Sequence, residues 1–348
     1  MADLGQTLIE QVHRTLEVDE PWTTRTERSF SWIAHRLEQA VSTHRGIQDG
    51  EFVLFKLCAE TAVVDSVSAP DAIVDHVLSD LNRHSFGSCY SFAASERRIY
   101  ATTNIWAHQD TAGWRANTFG AYVVGQLTFA EAEADFLAER CAGTVARRAH
   151  PVSGHRDRPD ALLAVVGDVM VPKGQEPSLY RNAFEFEGVA DALEQSERVA
   201  TLGGSADGIA LESSFDDYTS ISILSSTYKH RLLGAGLSTC LQLPISITLE
   251  EGHRIAAMLN RRERDSGPIG GQGHFGAWCV DQGAAGGIAV SYRSFLPNIL
   301  HLDGLIMDTA TECISRMLWA DQTMNSKPTT ESAWTRLAKR FGVSGRQD

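Results

Sequence analysis

Few runs in this 348-residue chain combine the residue types and spacing that chemistry requires. The run Gly267-Pro-Ile-Gly-Gly-Gln-Gly-His-Phe-Gly276 has the composition of a phosphate loop, but a helix precedes it and a strand follows. Anion binding needs the opposite order, because the amides and dipole of a helix N-terminus hold the phosphate. Gly236-Leu-Ser-Thr-Cys240 misses the G-x-S-x-G pattern at its last residue, and no helix starts there to make a nucleophile elbow of Ser238. Cys279 follows His274 by five residues. On a strand an odd separation points two side chains to opposite faces, so Cys279 reads as a core cysteine. The twelve histidines contain neither H-E-x-x-H nor a helical H-x-x-x-H, and His150 and His155 could touch a metal only adventitiously. Asp216-Asp217, between two strands, reads as a solvated turn. No catalytic, cofactor or metal residue is assigned.

The six cysteines, Cys58, Cys89, Cys141, Cys240, Cys279 and Cys313, are scattered and contain no C-x-x-C. Paired spacing would mark a disulfide framework or a zinc site, so buried thiols in a reducing cytosol are expected. What recurs instead is aromatic. Phe92, Tyr100, Trp106 and Trp114 lie in the first half, and Trp278, Tyr292 and Phe295 in the second. Such residues either fill a core or line a groove for an extended peptide.

The elements that must carry these residues occur twice. An apolar helix ends in Leu-Asn-Arg, two strand-like runs follow, and a second apolar helix closes the unit. The first copy comprises Asp71 to Arg83, Cys89 to Ala94, Ile99 to Trp106 and Phe129 to Cys141. The second comprises Glu250 to Arg261, Phe275 to Val280, Ile288 to Phe295 and Leu302 to Ala320. Repetition of a mixed unit implies α+β architecture in two tandem modules, each an antiparallel sheet packed against helices.

Periodicity fills in the rest. Leu4, Leu8, Val12 and Leu16 mark a first helix, and Phe30, Ile33, Leu37 and Val41 have the spacing of a second. Phe52 to Val67 reads as a long strand or a hairpin, Gln109 to Asn117 as a polar loop, and Gly120 to Leu127 as a further strand. Arg147 to Asp160 has almost no apolar residue and reads as an exposed linker. Beyond it come a possible helix at Val189 to Val199 and strands at Gly208 to Ser214, Thr219 to Thr227 and Leu237 to Ile245. Thr248 and Glu251 have capping-box spacing. The expected division is an N-terminal helix at 1–28, a module at 29–146, a linker at 147–160, a module at 161–324, and a tail at 325–348. In the tail Trp334, Leu337, Ala338 and Phe341 share one face of a short helix, a docking element for the second module or for a partner.

Hydrophobic residues make up 43% and charged residues 22%, the composition of a globular chain. The net charge of −13 disfavours nucleic acid, no run is apolar enough to cross a bilayer, and MADLGQTLIEQ lacks the features of a secretion signal. A cytoplasmic location is expected.

The order of elements, the Val-rich Phe52 to Val67 run, the helix end at Leu81-Asn82 and the aromatic-rich hairpin down to Trp106 resemble the YbjN family. That family shares its α+β fold with the type III secretion chaperones. The resemblance is carried best by Ser29 to Cys141, and Ala190 to Ala320 repeats its latter half. It implies a non-enzymatic, cytosolic protein that holds a peptide segment of a client. Its two modules could pack as an internal pseudo-dimer, or the chain could form a homodimer. The client contacts expected on this reading are Trp106, Trp114, Trp278, Tyr292 and Phe295. A small-molecule enzyme with a site between the domains and a structural subunit of a larger assembly are the alternatives.

Overall fold

The computed structural model describes residues 3–85, 87–166, 176–194, 199–215, 218–243, 247–265, 275–282 and 287–324. Helix α1 (Leu4–Leu16) opens on a capping box in which Asp3 and Gln6 each accept the other's backbone N–H. Strands β1 (Thr23–Arg25), β2 (Ser29–Ile33), β3 (Glu38–Thr43), β4 (Ile47–Asp49) and β5 (Phe52–Asp65) follow. Next come α2 (Asp71–Asn82), the hairpin β6 (Cys89–Ala93) and β7 (Arg98–Ala107), then α3 (Ala112–Arg140) and the short β8 (Thr144–Val145).

After a one-turn helix α4 (Ala161–Val165) the second half repeats the sequence of elements. It comprises α5 (Ala183–Glu194), β9 (Val199–Ser205), β10 (Gly208–Phe215), β11 (Tyr218–Ser225), the short β12 (Lys229–His230) and β13 (Gly234–Leu243). Helix α6 (Leu249–Asp265), strands β14 (Gly276–Gln282) and β15 (Ile288–Pro297), and helix α7 (Leu305–Met324) complete it.

Both sheets are antiparallel and have the same topology. The first runs β1-β2-β3-β5-β7-β6 and the second β9-β10-β11-β13-β15-β14. In each, a meander leads to a helix, and the hairpin that follows returns so that its second strand pairs with the last strand of the meander. Helices α1 and α3 pack on the first sheet, and α5 and α7 pack on the second, α5 over β9 and β10 and α7 over β11 and β13. The chain is thus an α+β protein with two antiparallel sheets, and the repetition extends through the leading helix and meander, upstream of the pattern visible in sequence.

Two expected elements are different in the structure. Phe30, Ile33, Leu37 and Val41 lie on the hairpin β2–β3 rather than on a helix. Their spacing also fits alternation around a turn, and β2 and β3 are rich in Ser, Thr, Val and aromatic residues, which fit a pleated surface. Gly120 to Leu127, expected as a strand, and most of the expected loop before it belong to the 29-residue α3. Gly113, Gly120, Gly125, Val123, Val124 and Thr118 lower the intrinsic preference of this stretch for helix. Burial on most sides of its central turns removes the one-sided apolar stripe by which a helix is recognised.

Arg147 to Asp160 is polar as expected, yet it is tied along the first module. Arg148 N–H donates to Arg36 O at 2.9 Å, Asp160 N–H to Ala34 O at 2.7 Å, and Arg156 reaches Asp19 and Ile33 O. Thr248 and Glu251 form the capping box at the start of α6. The glycine-rich run up to residue 274, Asp216-Asp217 and the C-terminal amphipathic segment lie outside the described residues.

Candidate functional site

The two halves meet across a seam built by α2 and α6. Each of these helices packs on the other, on the hairpin of its own module and on the outermost strand of the opposite sheet. The two helices thus make the same set of contacts with the roles of the modules exchanged.

The Leu-Asn-Arg helix ends explain how the seam is positioned. Asn82 donates to Tyr90 O at 2.9 Å and accepts from Tyr90 N–H at 2.8 Å. Asn260 makes the same pair of bonds to Trp278, both at 2.8 Å. A buried side-chain amide that satisfies both backbone groups of one residue locks helix to strand. It also fixes the internal register, in which Tyr90 corresponds to Trp278. Across the seam, Ser79 Oγ accepts from Val280 N–H at 2.8 Å and Arg83 donates to Val280 O. On α3, Tyr122 donates to Phe295 O at 3.2 Å and stacks on Phe275.

The expected client contacts are for the most part interior. Trp106, Trp278, Tyr292 and Phe295 are buried, and Trp114, in the first turn of α3, is partly covered by Arg115. Trp278 donates its indole N–H to Glu263 at 2.7 Å, and Glu263 pairs with Arg316 at 2.6 Å. Arg316 lies 4.0 Å from the centre of the Tyr292 ring and pairs with Glu312. Burial alone would lower the Arg316 pKa, but Glu263, Tyr292 and Glu312 hold its charge and raise it. Phe295 stacks against His230. These rings are core and network members, and in this conformation a client could not reach the four buried ones. The first module has its own polar core: Trp32 donates to Gln39 at 2.9 Å, and Gln39 donates to Val123 O and to Gln126.

Two clefts open along the seam. One, of about 710 Å³, is lined by Asp71, Asp75 and His76 of α2 and by Leu249, His253 and Arg261 of α6, among others. The other, of about 460 Å³, lies between Leu81, Tyr90, Phe129, Glu133 and the 228–232 loop. In the first, His76 and His253 are in ring contact with nitrogens 3.0 Å apart. Asp75 is buried with Arg261 at 3.6 Å, and burial, reinforced by Asp71, pushes its pKa up to about 6. The sequence marks none of these as site residues: Asp71, Leu81, Phe129 and Arg261 stand in it as ends of the repeated helices, and His76 and His253 only lie on those helices.

Nothing else assembles into a reactive centre among the described residues. Among the described residues, no three His, Cys, Asp or Glu side chains are placed to hold a metal ion, and no helix is long and apolar enough to cross a membrane. Ser238 lies in β13 and donates to Ser225 O. Gly236 is required by packing: a Cβ there would come 2.2 Å from Leu296 O on the neighbouring strand. All six cysteines are free, and burial raises the thiol pKa to about 11 for Cys58 and Cys141 and about 12 for Cys279 and Cys313, which makes them poor nucleophiles. No protein-family model, curated protein or solved structure matches this chain.

Proposed function

We propose that this protein is a non-enzymatic, chaperone-like protein that holds an extended segment of a protein client. The supporting observation is the unequal treatment of the sheet ends. The seam covers β6 and β14, which α2 and α6 pack against. The first module's other edge, β1, has three residues and is flanked by the connector: Thr24 meets His150, and Ser153 donates to Pro21 O. The equivalent edge β9 has seven residues, and among the described residues it pairs only with β10. Leu202, Gly203, Gly204 and Ser205 are exposed there. A strand of this length with one free row of backbone donors and acceptors is a template for an added strand.

A peptide array of extended, apolar segments tests the reading. Binding at micromolar Kd is expected, lost in Gly204→Pro, which removes a backbone donor facing away from β10, since Gly204 stands opposite Ile209, one position beyond the turn-closing pair Ser205 and Gly208. Failure of every segment to bind more tightly than millimolar would overturn it. Free cysteines suit a reducing compartment, which fits a cytoplasmic client holder. A second reading, small-molecule binding in the seam, is favoured by the cleft volume of about 710 Å³, within the usual range for ligand pockets. Native mass spectrometry of the purified protein, read for a retained small molecule, separates the two.

A further inference from the structure

His76 and His253 are contributed by different modules, and their ring nitrogens Nδ1 and Nε2 lie 3.0 Å apart. That separation needs one hydrogen between them. His76 turns its other nitrogen, Nε2, to Asp80 Oδ2 at 3.3 Å. One neutral arrangement satisfies both contacts. His76 carries its hydrogen on Nε2, toward Asp80, and its Nδ1 accepts from His253 Nε2–H. His253 Nδ1 is then a buried lone pair, and among the described residues it has no hydrogen-bond partner.

This arrangement can take up one proton without breaking. The first proton goes to His253 Nδ1 and leaves the shared hydrogen in place. A second proton must go to His76 Nδ1, which removes the acceptor and sets two imidazolium ions against each other. His76 is half-exposed, while His253 is buried.

The surrounding charges are mixed. Helix α2 brings Asp71, Asp75, Asp80 and Arg83, and α6 brings Glu250, Arg254 and Arg261. Glu133 and Arg140 of α3 border the adjoining groove, which also contains His76. Asp71 is engaged by Arg97 and Asp75 by Arg261. Among the described residues, Asp80 is the one carboxylate paired with either ring, and it is shared with Arg83.

We propose that the His76–His253 contact is a proton-operated latch on the α2–α6 seam, closed while at most one ring is charged and opened when both are. The inference does not depend on the client reading. Burial, the neighbouring His76 and Arg83 lower the proton affinity of His253 below its ordinary value of 6.5, with Asp80 opposing. The closed seam therefore loses stability as pH falls below 6.5. Asp75 works in the opposite direction: burial raises its pKa from 3.8 to about 6 although Arg261 across the seam opposes this, so acid relieves the cost of keeping it buried. A comparison at constant Asp75 isolates the histidines.

Amide hydrogen exchange of α2 and α6, with α1 as internal reference, is measured from pH 7.5 to 5.0 in the native protein and in His76→Gln/His253→Gln. Glutamine can keep a hydrogen bond across the seam but cannot titrate. The ratio of seam-opening constants, native over variant, is expected to rise by up to about tenfold per pH unit for each proton taken up below pH 6.5. A ratio constant within about twofold across that range overturns the proposal. If the double variant does not fold, His76→Gln alone, at a half-exposed position, serves as the reference. Ring ¹⁵N shifts give a second reading: two charged rings in a seam that keeps its protection also overturn the latch.

Discussion

Asn260 grips Trp278 by both its backbone N–H and its carbonyl, as Asn82 grips Tyr90 in the other half of the chain. The two clamps set the register between helix and hairpin in each module. They also place α2 and α6 where they can pack against the opposite sheet.

Removing either clamp strands two buried backbone groups. Asn82→Ala and Asn260→Ala are each expected to lower stability by about 2–4 kcal/mol. Urea denaturation measures the loss. A cost below about 1 kcal/mol at both positions would show that the clamp does not hold the register.

The Glu263–Arg316 pair has both side chains about 1% exposed, so loss of one partner leaves a buried charge. Arg316→Met is expected to cost about 3–5 kcal/mol, and Glu263→Met in the same chain to restore part of that loss. A double-mutant cycle measured by denaturation gives the coupling, and purely additive losses would contradict the pairing.

Asp75 supplies a stability change of defined sign. Its pKa is raised to about 6 in the folded chain from an ordinary 3.8, so folding is penalised above pH 6, and the penalty disappears as pH falls toward 3.8. Asp75→Asn is expected to gain about 2 kcal/mol relative to the native chain at pH 7.5 and nothing near pH 4. Denaturant midpoints for the two chains at both pH values test this, and a gain independent of pH would rule it out.

The thiols give a chemical readout of burial. Cys89, Cys141, Cys279 and Cys313 are buried, while Cys58 and Cys240 are partly exposed. In native protein the first four are expected to react with a thiol reagent at least about tenfold more slowly than after denaturation. All six should titrate in denatured, unreduced protein. Fewer than six would reveal a disulfide.

Much of the fold could be read from local pattern. The recurring helix and hairpin units, the stripe of α1, the long β5 and the Thr248 cap rest on spacing within a few residues, and all are present. Where a pattern served two structures, local reading failed. Phe30 to Val41 suits either a helix or a hairpin, and its pairing with β5, distant in sequence, decides for the hairpin. Helix α3 lacks a one-sided stripe because Tyr122 and its neighbours are covered by the other module as well as their own.

The sequence by itself determined that the chain is α+β and internally repeated, and that the Leu-Asn-Arg ends recur. Only the tertiary structure decided what those ends do, and which aromatics are core. Burial of Trp106, Trp278, Tyr292 and Phe295 depends on contacts that no window of the chain contains. The same holds for His76 against His253, and for β9, which among the described residues pairs only with β10, against β1, which the connector flanks. Each is a relation between residues far apart in sequence, and it exists only once the chain has folded.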